Sequence, residues 1–60
     1  MDYKDALKGI SVAGTDLFNK EIKGEIIGHI PSFKLVQVKY GVDRMKITTA
    51  EANNLERVDK

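Results

Sequence analysis

The only histidine of the chain, His29, is the side chain best suited to acid–base or metal chemistry, but its neighbours do not support either role. No cysteine and no second histidine are present to complete a metal-ligand set. Ser11, Ser32 and the threonines lack the sequence context of an activated nucleophile. The carboxylates are scattered without pairing: Glu21, Glu25, Asp43, Glu51 and Glu56. The sequence therefore predicts a non-enzymatic protein with no cofactor and no metal, in which His29 faces solvent or packs loosely.

Basic residues form a second possible site. The segment GISVAG, residues 9–14, has neither a dinucleotide-binding glycine set nor a P-loop lysine. Alternation in the strands described below instead places several polar side chains on one outward face, with Glu25 as the only acid: Lys23, His29, Gln37, Lys39, Arg44 and Lys46. Four of these, Lys23, Lys39, Arg44 and Lys46, are the candidate contacts to DNA or RNA phosphates. The alternative is that the lysines keep the strands soluble and protect a sheet edge, which fits a formal net charge of only +1.

Apolar residues outside the predicted core form a third possible site. Ile27 and Leu35 share the outward face with the lysines, and Phe18 and Phe33 lie in predicted loops. The four residues predict a protein-binding surface, for a different protein or for a second copy of the chain. The alternative is internal packing, in which Leu17 and Phe18 fold over an open end of the core, Phe33 also caps the core, and the loop of residues 14–21 covers Ile27 and Leu35.

Length and composition place these residues on one small domain spanning residues 1–60. The chain is 42% hydrophobic, which is typical of a folded domain, and it has no cysteine for disulfides. It has no apolar run of about 18 residues, and MDYKDALKG lacks the basic and apolar regions of a signal peptide. We therefore expect a cytoplasmic protein that does not enter a membrane. Whether residues 1–8 pack or fray stays open.

Three segments alternate with the period of a β-strand: IKGEIIGHI at 22–30, KLVQVKY at 34–40 and RMKITT at 44–49. Turn residues in IPSF and GVD separate them, so they form a meander. Gly24 and Gly28 predict a bulge, a bend or a close backbone approach. The predicted interior of this meander contains Ile26, Val36, Val38, Met45 and Ile47.

The ends of the chain complete the predicted fold. Thr48 stands three residues before Glu51, the spacing of a capping box, so one helical turn should begin there and end at Asn53 and Asn54. Leu55 should then enter the core, and ERVDK, residues 56–60, should form a last strand with Val58 inward. A first strand is expected near residues 9–13. A loop or a helical turn capped by Thr15 or Asp16 should follow it.

This order of elements resembles a five-stranded SH3-like barrel, a mainly β fold with one 3₁₀ or α turn before the last strand. The segments GEIIGH and MKITTAEANNLERV are also similar to the plasmid-borne type II dihydrofolate reductases, which are SH3-like barrels that assemble as tetramers around a pore. In that family a Val-Gln-Ile-Tyr run binds cofactor and folate. The matching residues here are Met45, Lys46, Ile47 and Thr48, and only the isoleucine agrees. The resemblance therefore implies the fold without the reaction.

Small barrels of ribosomal, phage and regulatory proteins share this outline and mostly bind RNA, DNA or proteins. We therefore expect an accessory protein, of the kind found in phages and mobile elements, that acts through a protein partner or self-association. Nucleic-acid binding is the alternative function, and reductase activity is the third.

Overall fold

The fold is a single antiparallel sheet of five strands. A computed structural model describes residues 1–58, so Asp59 and Lys60, which the predicted last strand included, lie outside the described residues. The strands are β1 (Ser11–Thr15), β2 (Glu21–Ile30), β3 (Leu35–Tyr40), β4 (Lys46–Glu51) and β5 (Leu55–Arg57). Two 3₁₀ turns accompany them, η1 (Tyr3–Asp5) and η2 (Ala52–Asn54). The prediction of a mainly β chain with five strands and a 3₁₀ turn before the last strand is confirmed.

The sheet has the order β4-β3-β2-β1-β5, so two strands that are consecutive in the chain lie at opposite edges. In a flat sheet these edges would stand about 19 Å apart, given a strand spacing of about 4.8 Å. The chain from Glu51 to Leu55 passes through η2 and spans at most about 14 Å. The sheet must therefore curl, although β4 and β5 do not pair and the ladder is not closed.

Close contacts at glycine allow this curvature. A Cβ atom added to Gly24 would lie 2.0 Å from the carbonyl oxygen of Lys39 in β3, so no larger residue fits while the two strands keep this distance. The β2–β3 register shifts between Ile26 and Gly28, which leaves Ile27 as the extra residue of a bulge. The predicted bulge and close backbone approach are confirmed.

The core contains three of the five residues that the alternation placed there. Ile26, Val36 and Val38 are fully buried, which confirms that part of the prediction. Met45 and Ile47 are 77% and 60% exposed, so their assignment to the core is wrong. The other buried apolar residues come from the N-terminal segment, from β1, β2 and β4, and from η2 and β5: Ala6, Val12, Ile22, Ala50, Ala52 and Leu55.

The register of β4 explains this error. Thr48 pairs with Val38 and Ala50 pairs with Val36, and directly paired residues project to the same face of a sheet. The inward face of β4 therefore contains Thr48 and the buried Ala50, and Ile47 points outward. The alternation was correct, but its phase was displaced by one residue, which moves every side chain of the strand to the other face.

The predicted capping box at Thr48 is also wrong. η2 begins at Ala52 after Glu51, and no side chain caps it. Thr48 remains in β4, and the asparagines of η2 end it without positive φ angles. Leu55 is fully buried as predicted. Val58 is half-buried, and its backbone N–H donates to the carbonyl of Ser11 at 2.9 Å.

The N-terminal segment packs against the core rather than fraying. Ala6 is fully buried, and Met1 and Tyr3 contact the core cluster. The amine of Met1 donates to the carbonyls of Ala52 at 3.1 Å and Leu55 at 2.7 Å. Met1 therefore joins the N-terminal segment to η2 and the start of β5. Within residues 1–58 no helix has the length and apolar character needed to cross a membrane.

Candidate interaction surface

The loop between β1 and β2 is organised by one carboxylate. Oδ1 of Asp16 accepts hydrogen bonds from the backbone N–H groups of Phe18 at 2.8 Å and Lys20 at 3.0 Å. Its Oδ2 accepts from the hydroxyl of Thr48 in β4 at 2.9 Å. Asp16 is only 4% exposed. Of the two capping residues considered from the sequence, Asp16 holds this turn.

The same hydrogen bonds set the pKa of Asp16. The N–H of Lys20 lowers this pKa most, and the Thr48 hydroxyl, the Phe18 N–H and the Lys20 charge lower it further. Burial acts in the opposite direction, but the pKa remains below its ordinary value. The ionised carboxylate therefore stabilises the loop against β4.

This loop places two apolar side chains beside β4. The backbone N–H of Leu17 donates to the carbonyl of Thr49 at 3.1 Å. Leu17 is 48% exposed and Phe18 is 82% exposed, so the prediction that they cover an open end of the core is wrong. The Asp16 hydrogen bonds instead hold both residues at the surface.

The turn between β3 and β4 adds two more exposed apolar residues. The N–H of Arg44 donates to the carbonyl of Gly41 at 3.2 Å, and the N–H of Met45 donates to Oδ1 of Asp43 at 3.1 Å. In this tight turn Val42 and Met45 extend into solvent. Together with Ile47 and the two loop residues they form what we call the β4 edge patch: Leu17, Phe18, Val42, Met45 and Ile47.

The edge of β4 also presents backbone groups. In an antiparallel ladder the N–H and C=O of one residue point to the same neighbour, and the next residue points the other way. The carbonyl of Thr49 bonds to the loop, so the backbone groups of Thr49 point away from β3. Ile47 lies two residues earlier, so its N–H and C=O also point away from β3. Among residues 1–58 no hydrogen bond engages the N–H or C=O of Ile47.

The four predicted protein-binding residues lie on several elements. Phe18 belongs to the β4 edge patch, whereas Phe33 is 74% exposed in the turn between β2 and β3. Phe33 lines a separate cleft of about 290 Å³ with Tyr3, Lys34 and residues 51–53. Ile27 at the bulge and Leu35 in β3 are half-buried. Their binding role remains a prediction.

The four predicted nucleic-acid-binding cations do not share a face. Lys23 and Lys39 project from the outer face of the sheet, where Glu25 pairs directly with Lys39. Arg44 lies in the β3–β4 turn with a φ of 56°. Lys46 projects from the same side of β4 as its inward-facing residues. The prediction of one basic face is therefore wrong, because it used the displaced phase of β4.

His29 occupies the inward side of β2, opposite Val36, and not the outward face predicted for it. Its Nε2 is in hydrogen-bond contact with the carbonyl of Ala6, and its ring meets the Tyr3 ring edge-on with centroids 5.6 Å apart. It thus connects the N-terminal segment to the sheet. In the part of the chain that the structure describes, no group of His, Cys, Asp and Glu could hold a metal ion.

The chain matches no protein-family model, and no curated protein or solved structure matches it. Its surfaces therefore have to be interpreted from their own chemistry. Sequence reasoning missed Val42, Met45 and Ile47 as surface residues. The one available signal was Ala50, a small apolar residue in the opposite phase to Met45 and Ile47.

Proposed function

We propose that this protein acts without catalysis, by binding a protein chain through the β4 edge patch. The bound chain is a different protein or a second copy of the same chain. The order of strands, with a 3₁₀ turn before the last one, is similar to that of SH3-like barrels, and this resemblance supports a binding role.

The observation that carries the proposal is the concentration of exposed apolar side chains at one edge. Residues 1–58 contain seven exposed large apolar residues, and five of them belong to the β4 edge patch. The patch surrounds a strand edge with unpaired backbone groups. Exposed apolar area beside a free edge is the combination by which extended chains are recognised.

Nucleic-acid binding is less well supported. Lys23 on β2 and Lys39 on β3 do share the outer face. Glu25, two residues after Lys23 on β2, shares that face and pairs with Lys39. Arg44 and Lys46 lie elsewhere, so the four positive charges do not follow one path along a phosphate backbone. Reductase activity has still less support, because the run from Met45 to Thr48 lacks the glutamine and tyrosine of the resembled enzymes.

Two measurements test the proposal. Light scattering over a range of protein concentrations measures self-association, and selection from a displayed random-peptide library measures recognition of other chains. We expect the wild type to show self-association or peptide binding, and we expect the Ile47→Lys variant to lose it. Lys23→Ala, on the outer face of β2, is the control and should retain it.

The proposal fails if Ile47→Lys and the wild type behave alike in both measurements. Fluorescence anisotropy with labelled single-stranded and duplex oligonucleotides at low salt tests the alternative function. Binding that Lys39→Glu abolishes and Ile47→Lys leaves unchanged would assign nucleic acid as the ligand instead. We expect no NADPH-dependent reduction of dihydrofolate.

A further inference from the structure

The free edge of β4 can pair in only a limited way. Thr49 and Ile47 direct their backbone groups away from β3, but the carbonyl of Thr49 is already bonded to Leu17. Within the described residues, the N–H and C=O of Ile47 thus remain the free donor and acceptor near the start of this edge. Any strand that joins the sheet here must bond to Ile47.

We propose that the occupant of this edge is a second copy of the chain, with the two β4 strands antiparallel about a two-fold axis at Ile47. This inference rests on the proposed function and specifies its partner. An antiparallel pair about a two-fold axis joins identical residues at its centre. A centre at Thr49 is blocked by the loop, so Ile47 pairs with Ile47 and residue 46 stands opposite residue 48.

The charges of the two copies are complementary in this register. Lys46 stands directly opposite Thr48 of the second copy, and paired side chains project to the same face. The hydroxyl of Thr48 donates to Asp16, whose carboxylate accepts three hydrogen bonds and has capacity for a fourth. Lys46 therefore approaches the buried, ionised Asp16 of the other copy from the side of the Thr48 hydroxyl, and symmetry produces this approach twice. Within residues 1–58 of its own chain Lys46 forms no ion pair.

The apolar residues are complementary in the same register. The loop bearing Leu17 and Phe18 already occupies the edge at Thr49, so the two strands pair only over residues 46–48, and residue 45 of one copy lies at the end of the ladder beside this loop of the other. Met45, which is 77% exposed, is thereby brought against these two side chains, and Ile47 meets Ile47. A stable small interface buries about 600 Å² or more on each partner. That is about one seventh of the 4280 Å² of accessible surface of the described chain.

The absence of cysteine makes the register directly testable. In a hydrogen-bonded antiparallel pair the facing Cα atoms lie about 5.5 Å apart, within the range that a disulfide spans. Ile47→Cys should therefore form a disulfide-linked dimer under mild oxidation. Lys39→Cys is the matched control, because Lys39 is the direct neighbour of Ile47 on β3 and lies one strand farther from the axis. Its two copies would stand about 15 Å apart and should not link.

A charge reversal tests the Lys46 contact independently. Lys46→Glu should raise the dimer dissociation constant about tenfold or more at low salt, because each copy would then present a glutamate to Asp16. Lys39→Glu changes the net charge equally and should shift the constant less than about threefold. If Lys46 instead protects the edge from pairing, Lys46→Glu would strengthen association and overturn the proposed contact.

The remaining outcomes separate this inference from the proposed function. The wild type could be monomeric at about 1 mM and yet select peptides that the Ile47→Lys variant no longer binds. That result would support the proposed function and would refute a second copy as the occupant of the edge. A dimer in which the Ile47→Cys variant does not link faster than the Lys39→Cys variant refutes the register. Failure of both association and peptide selection refutes the proposed function itself.

Discussion

Gly24 offers the sharpest test of how the sheet is held together. A Cβ atom at this position would lie 2.0 Å from the carbonyl oxygen of Lys39, 2.8 Å from its carbonyl carbon and 3.0 Å from the Cα of Tyr40. All three atoms belong to the backbone of β3, so no side-chain rotation relieves the contact. Gly24→Ala therefore forces β2 and β3 apart.

The magnitude follows from this geometry. Real Cβ contacts are not shorter than 3.0 Å, so the strands must separate by at least 1.0 Å at this point. A hydrogen bond of about 2.9 Å would then exceed its useful length. Loss of about two ladder bonds costs about 1–3 kcal/mol, and strain in the displaced neighbours brings the total to about 2–4 kcal/mol. A 60-residue domain has a total stability of only about 3–9 kcal/mol.

Thermal and urea denaturation followed by circular dichroism measure this effect. We expect Gly24→Ala to lower Tm by at least about 8 °C. Gly28→Ala is the matched control in the same strand, because its Cβ would meet only the side-chain tip of Gln37, at 2.8 Å from Oε1. That side chain can rotate away, so this variant should stay within about 1 kcal/mol of the wild type. Equal Tm values for the two variants would refute the close approach of β2 and β3.

Two further predictions concern β4 and its loop. Hydrogen bonds from Lys20, Thr48 and Phe18 hold the pKa of Asp16 below its ordinary value of 3.8. The ionised Asp16 therefore stabilises the fold fully above pH 3.8, and this stabilisation is lost as the pH falls through the lower pKa of the folded state. Urea midpoints measured from about pH 5 down to about pH 2.5 should fall for the wild type and fall less for Asp16→Asn; parallel curves would contradict this. Burial predicts that Leu55→Ala, at a fully buried position of β5, lowers the free energy of unfolding by about 2–5 kcal/mol. The phase of β4 predicts that Ile47→Ala, at a position 60% exposed, lowers it by less than about 1 kcal/mol. The reverse order in urea denaturation would place Ile47 in the core.

The number of strands, their approximate limits and the turns between them were predictable from local sequence. A period of two in hydrophobicity reflects the geometry of the strand itself, and proline or glycine interrupts it by its own backbone properties. The close approach at Gly24 follows from the absence of a side chain there. The bulge near Gly28 follows from the break in hydrophobic alternation at Ile27. Each of these features is marked by residues close together in the chain, although the strand that Gly24 approaches is not.

The candidate site depended on contacts between distant parts of the chain. Alternation shows that β4 has two faces, but only its pairing with β3 shows which face is buried. The Thr48 hydroxyl fits the capping box by spacing, yet it bonds to Asp16, 32 residues earlier in the chain. That bond holds the loop with Leu17 and Phe18 at the β4 edge, and the register of β4 leaves Ile47 in solvent. This surface depends on tertiary structure because the hydrogen-bond partner of the buried Asp16 carboxylate is distant in sequence and comes close only when the chain folds.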